Sequence, residues 1–207
     1  MTLAIPEMAD LAFDLEGGTL PMDYPFLLWT ILARLAPQLA EEPLIGVLPL
    51  RTSESNAALL LPKRAKLVLR LPESLACYAT ENLSGKTLDL SVGTTLPEKC
   101  TLSLGKSRLS RIQPYPTIHA SLVTGPDDEV VFTKGIEMQL NEMGIEGRLI
   151  CGRHRTLAGD KQTIHGYSLV VHDLKPASSL KLQYAGLGEM RRFGCGIFVP
   201  HKAISGL

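Results

Sequence analysis

Near the end of the chain, four glycines and an Arg-Arg pair share eleven residues: Gly186-Leu187-Gly188-Glu189-Met190-Arg191-Arg192-Phe193-Gly194-Cys195-Gly196. Glycine accepts positive φ without steric cost. Such a loop can bring backbone N–H groups and guanidinium forks close to phosphates. The spacing also suits a flexible turn with two surface arginines. No strand–glycine–helix order surrounds it, so it is neither a Walker A loop nor a dinucleotide fingerprint.

A second candidate runs from Gly152-Arg153-His154-Arg155-Thr156 to Lys161. In a strand, Arg153 and Arg155 point to one face and His154 to the other. Two guanidiniums and Lys161 on a protruding hairpin fit folded RNA, which proteins read largely by shape and phosphate contacts. A solubilising edge hairpin has the same pattern. All five histidines, His119, His154, His165, His172 and His201, lie beyond residue 118. None forms a His-x-x-x-His or His-Glu-x-x-His pair, and no nucleophile elbow is present, which argues against metal hydrolysis and serine chemistry. A surface or satisfied core role is the plain reading of each lone histidine. The four cysteines, Cys77, Cys100, Cys151 and Cys195, are far apart with no Cys-x-x-Cys, so a zinc knuckle or redox dithiol has no support and buried free thiols are expected.

The elements that must position these groups follow from periodicity. Residues 11–15 alternate and stop at Gly17-Gly18, predicting a strand and a turn. Leu28, Leu32, Leu35 and Leu39 form the stripe of a helix, with Asp23 as N-cap and Pro25 in its first turn. Strands follow at Ile45–Leu50 and Lys66–Leu71, then a helix from about Pro72 to Glu81 and a strand at Leu88–Val92. That order is the βαββαβ, ferredoxin-like unit. It recurs: a strand at His119–Thr124, a helix through Phe132, Ile136, Leu140 and Met143 ended by Gly144, strands at Arg148–Thr156 and Thr163–Leu174, a helix from Pro176 to Gly186, and a last strand at Ile197–Val199. The fold class is therefore α+β with tandem ferredoxin-like domains. Pro114 and Pro116 interrupt helix and ladder alike, dividing the chain into residues 1–113 and 114–207.

With 207 residues, 45% of them apolar, the chain can bury two such cores. Its 21 basic residues balance 21 acidic ones, so any polyanion must meet a local patch rather than a basic domain. One basic run comprises Lys63, Arg64, Lys66 and Arg70, and another Lys99, Lys106, Arg108 and Arg111; runs of this kind are usually solvated faces. Residues 1–10 lack the pattern of a secretory signal, and no apolar run approaches the ~20 residues of a membrane span, so a cytoplasmic protein with no membrane partner is expected.

Gly-Leu-Gly-x-x-Arg-Arg-x-Gly-Cys-Gly-x-Phe-Val-Pro at residues 186–200, on the tandem order, resembles the CRISPR repeat-processing endoribonucleases, the Cas-six family. The greatest likeness is to the subgroup first described from myxobacterial-type CRISPR systems. Phe13–Leu15 with Gly17, Leu20-Pro21-x-Asp23, Leu35-Ala36-Pro37, Ile45-Gly46 with Pro49, and Gly152-Arg153-x-Arg155-Thr156-Leu157 match as well. The resemblance implies a ribonuclease that needs no metal or cofactor, cuts at the base of a CRISPR RNA repeat stem-loop by attack of a 2′-hydroxyl, and stays on the 3′ stem-loop beside other effector-complex subunits. Family members carry Asp-His at the start of the first helix; this chain has Asp23-Tyr24. Tyr24 and His154 are therefore the candidate catalytic residues. Arg153, Arg155, Lys161, Gly186, Gly188, Arg191, Arg192, Gly194 and Gly196 are the candidate RNA contacts. A non-cleaving stem-loop-binding subunit is the alternative, and a ferredoxin-like protein unrelated to RNA is a third reading.

Overall fold

In the computed structural model, residues 5–55, 58–91, 100–159 and 162–201 are described. The chain starts with β1 (Met8–Gly17), whose Leu11, Phe13 and Leu15 face the core in strict alternation. After β2 (Thr19–Leu20) comes α1 (Tyr24–Leu35), which buries Tyr24, Leu28, Trp29 and Leu32. Asp23 occupies the N-cap position but its side chain caps nothing. Leu39 belongs to a separate helix, α2 (Pro37–Glu41), because Pro37 lacks the N–H that would continue α1 and disfavours helical backbone at Ala36. The short β3 (Gly46–Val47) leads into a hairpin of β4 (Ser53–Ser55) and β5 (Ala58–Leu60), which pairs with β2 as a small separate sheet. Then follow β6 (Lys66–Pro72), a 3-10 turn, α3 (Ala76–Leu83), β7 (Thr87–Asp89) and β8 (Thr101–Arg111).

The second half contains β9 (Ile118–Thr124), α4 (Glu129–Glu142), β10 (Arg148–Ala158), β11 (Thr163–His172), α5 (Pro176–Ala185) and β12 (Val199–Pro200). Its antiparallel sheet has the order β10-β11-β9-β12, and the first half has β3-β6-β1-β8-β7. Setting aside the edge strand β7, both sheets place their four strands in the spatial order second, third, first, fourth. The protein is a tandem ferredoxin-like α+β fold.

Three strands differ from the sequence reading: residues 45–50 form a strand only at Gly46–Val47, the last strand is Val199–Pro200 rather than residues 197–199, and the third difference moves a whole strand. The fourth strand of the first half is β8, not residues 88–92; β7 is only an edge strand on β8. Leu102 and Leu104 of β8 are buried, but Lys106, Arg108 and Arg111 beyond them are exposed, so the strand reads as a solvated basic run. Val92, Lys99 and Lys161 lie outside the described residues.

Each half has its own core. Leu11, Phe13, Leu28, Leu67 and Leu102 centre the first, and Ile118, Phe132, Leu169 and Phe198 the second. At the boundary lies an ion pair with a buried guanidinium. Arg70 on β6, 1% exposed, holds Asp10 of β1 through Nε at 2.7 Å and Nη2 at 2.9 Å. Its Nη1 donates to the carbonyls of Gln183 and Phe198 in the other half. A buried guanidinium is tolerated where its donors are all engaged, so this geometry fixes how the halves meet.

Candidate nucleic-acid interface

The glycine-rich loop packs inward. After α5, Gly186 and Gly196 adopt positive φ and approach each other so closely that a Cβ on Gly196 would lie 2.0 Å from the Leu187 carbonyl oxygen. This close crossing turns residues 191–193 into a 3-10 turn against the first half. Arg191 is 7% exposed, donating from Nε to the Leu44 carbonyl at 3.2 Å and from Nη1 to the Ala185 carbonyl at 2.7 Å. Burial foremost, and then the neighbouring Arg70, lowers its pKa to about 10. Arg191 thus joins the halves through Nε and Nη1, while among the described residues its buried Nη2 has no hydrogen-bond partner and the side chain lines a cavity of about 330 Å³ with Trp29, Glu42 and Arg192. Gly188 and Gly194 are likewise packed, against Thr124 and Pro49. Arg192 remains exposed, 6.0 Å above the Trp29 ring. Phe193 packs on Phe26 of α1 with centroids 4.8 Å apart.

Arg153, His154 and Arg155 of β10 are all exposed. The inner face of the β10–β11 ribbon, Leu157 and Ile164, packs with Leu122, Cys195 and Phe26. Arg155 shares that side. It lines a cavity of about 330 Å³ together with Tyr24, Pro49, Glu54 and Gly194. The Tyr24 hydroxyl accepts the Leu50 N–H at 3.0 Å, and burial raises its pKa above the ordinary phenol value. It stays protonated at neutral pH, unable to act as a base but keeping a hydrogen to donate. Cys195 is also held protonated, its pKa pushed by burial to about 12.

His154 points away from this cavity, with Nε2 3.1 Å from Asp127 Oδ1. Strand alternation puts the imidazole on the face opposite Arg155, so the two catalytic candidates Tyr24 and His154 do not share this cavity. His154 instead groups with Asp127 and His165, a set of metal-ligand type.

Two histidines that the sequence reading left unassigned face the groove. A cavity of about 570 Å³, adjoining that of Tyr24 and Arg155 at Pro49 and Ser121, is lined by Arg51, Tyr115, His119 and His201. The two imidazoles lie edge to face, 5.2 Å apart. His119 has its pKa lowered, chiefly by burial and then by His201, against the raising effect of the Val199 and Pro200 backbone, and among the described residues its buried Nδ1 has no hydrogen-bond partner. The signal was topological: β9 and β12 pair with Val199 opposite His119, bringing residue 201 beside residue 119. Past Arg51 a further cavity carries Arg64 and Lys66. The groove between the halves thus offers guanidiniums at both ends and a half-buried, readily neutral imidazole in the middle. That arrangement can hold a polyanion and move a proton.

A family profile described as "Cas6 Crispr" matches residues 9–203. The CRISPR-associated endonuclease Cas6 of Myxococcus xanthus (strain DK1622) is 32% identical over 194 residues, which are 92% of this chain and 80% of that protein. Among solved structures, a Cas6-related protein of Pyrococcus furiosus superposes with a TM-score of 0.68 at 12% identity, covering 94% of this chain and 99% of that one. An RAMP protein described as binding different RNA substrates gives 0.65 at 13% identity, covering 92% and 98%. Thermus thermophilus Cse3, bound to an RNA representing a pre-cleavage complex, gives 0.52 at 12% identity, covering 93% and 98%. At such identities these structural likenesses speak for the fold.

Proposed function

The chain belongs to the Cas6 family of CRISPR-associated endonucleases, which act on repeat RNA, and from that premise we propose that it cuts CRISPR precursor RNA in the groove between its halves without a metal ion. Residues 1–113 and 114–207 act as the two domains that flank the groove. The observation that carries the reading is the cavity shared by His119, His201 and Arg51, next to the one shared by Tyr24 and Arg155.

His119, neutral near pH 7 because its pKa is lowered, accepts the proton of the 2′-hydroxyl. The 2′-oxygen forms a bond to phosphorus as the bond to the 5′-oxygen breaks. His201 gives a proton to the leaving oxygen, so the products are a 2′,3′-cyclic phosphate and a 5′-hydroxyl. Arg51 and Arg155 face the charge that builds on the non-bridging oxygens, and the Tyr24 hydroxyl donates to one of them. Arg153 and Arg192, both exposed, extend the phosphate contacts into the stem. The enzyme then remains on the 3′ stem-loop as a subunit of a cytoplasmic effector complex.

The test is incubation with a repeat stem-loop RNA in excess chelator. Cleavage is expected, absent when the scissile nucleotide is 2′-deoxy, and slowed by about 10²-fold or more in His119→Asn or His201→Asn. The tyrosine in place of the family's histidine, with its hydroxyl already engaged by Leu50, favours the second reading, a non-cleaving stem-loop-binding subunit. Tight binding with no product would select it.

A further inference from the structure

Asp127, His154 and His165 lie outside the groove and have no part in the proton transfers above. Their grouping follows from the β10–β11 ladder. His154 stands opposite Tyr167, and Thr156 opposite His165. The two imidazoles are therefore diagonal neighbours on one face, with centroids 6.0 Å apart and planes 24° from parallel. Tyr167 fixes the third group. Its ring packs on His154 at 5.1 Å and on Phe132 of α4 at 4.8 Å, and its hydroxyl donates to the Asp127 backbone carbonyl. The next residue, Asp128, caps α4 by accepting the Val131 N–H at 2.9 Å. The Asp127 backbone is thus anchored from both sides, leaving its carboxylate free to turn. One donor atom from each of Asp127, His154 and His165 falls within 4.8 Å of the others.

We propose that these three residues bind a divalent cation of the Zn²⁺, Co²⁺ or Ni²⁺ class. Two imidazole nitrogens and a carboxylate oxygen are the donor set such borderline cations take, with the fourth position left to water. Donors ~2.0–2.1 Å from a tetrahedral metal stand about 3.3 Å apart. Side-chain torsions can close the remaining gap, since all three residues are exposed. The His165 ring is already oriented through Nδ1, 3.4 Å from Thr156 Oγ1. Coordination requires an unprotonated ring nitrogen: a neutral imidazole keeps its hydrogen on the other nitrogen, and an imidazolium releases one proton to solvent. The bound cation straps the β10–β11 ribbon to the start of α4. It sits on the face opposite Arg155, away from the groove, and takes no step in cleavage.

The experiment is titration of the full chain, stripped with chelator, with Co²⁺ alone. One equivalent is expected to bring up the visible d–d absorption of four-coordinate Co²⁺, which Zn²⁺ then displaces. His154→Gln and His165→Gln should each weaken Co²⁺ binding by about tenfold or more. Both variants should keep the metal-free Tm and lose the rise that Zn²⁺ gives the parent protein. No absorption at stoichiometric Co²⁺, or binding by either variant equal to that of the parent protein, would overturn the site. No RNA enters the measurement, so its outcome is independent of the cleavage reading.

Discussion

Two arginines adjacent in sequence do unlike work. Arg192→Ala should reduce the slope of log binding constant against log salt by about 1, as expected for one lost phosphate contact. Arg191→Ala should leave that slope nearly unchanged and lower stability instead, because the carbonyls of Leu44 and Ala185 lose their donors; salt-series binding and urea melts separate the two effects. The sequence marks this pair as unusual through its flanking glycines. Which arginine turns inward is decided by carbonyls 147 and 6 residues away in the chain, and no local pattern encodes that. His119 carries a pH signature. Its folded pKa lies below the ordinary 6.5, so the unfolded chain binds the proton more tightly. Its contribution to stability is complete above 6.5 and is lost as pH falls through the folded value. His119→Asn should accordingly flatten the acid limb of a stability–pH curve measured by urea unfolding.

Among the elements, those with a single clear period were legible and those with mixed surroundings were not. The alternation of β1 and the stripe of α1 follow directly from one buried face. Half of β8 projects past the core, so its charged residues mask the strand, and its place between β1 and β7 follows only from sheet pairing. The glycine-rich segment was legible as special backbone, yet its role in joining the halves depends on close approaches that tertiary structure creates. Gly196→Ala tests this element. Its positive φ and the Leu187 carbonyl leave no space for a methyl group, so thermal melting should show a loss of roughly 2 kcal/mol or more. A melt matching the parent protein would contradict the packed-loop description.

For the molecule as a whole, zero net charge and a polyanionic substrate are compatible because Arg51, Arg64, Lys66 and Arg155 line adjoining cavities. The relative placement of the halves then matters as much as the residues themselves. Arg70 holds Asp10 in one half and two carbonyls in the other. Arg70→Ala should cost about 3–5 kcal/mol, the range for stranding a buried charge partner, with urea unfolding as the measure. The repeated βαββαβ order makes the duplication readable from sequence, but the histidines that face the groove are set by the meeting of the second half's first and last strands, β9 and β12, which no local pattern announces. The central claim is that the groove cleaves RNA by proton transfer through His119 and His201. The most direct measurement is single-turnover cleavage of a repeat stem-loop RNA in chelator by the parent protein and by His201→Asn. The account predicts a cyclic-phosphate product from the parent protein and a rate at least about 10²-fold lower in the variant, with RNA affinity retained; equal rates, or a reaction abolished by the chelator, would contradict it.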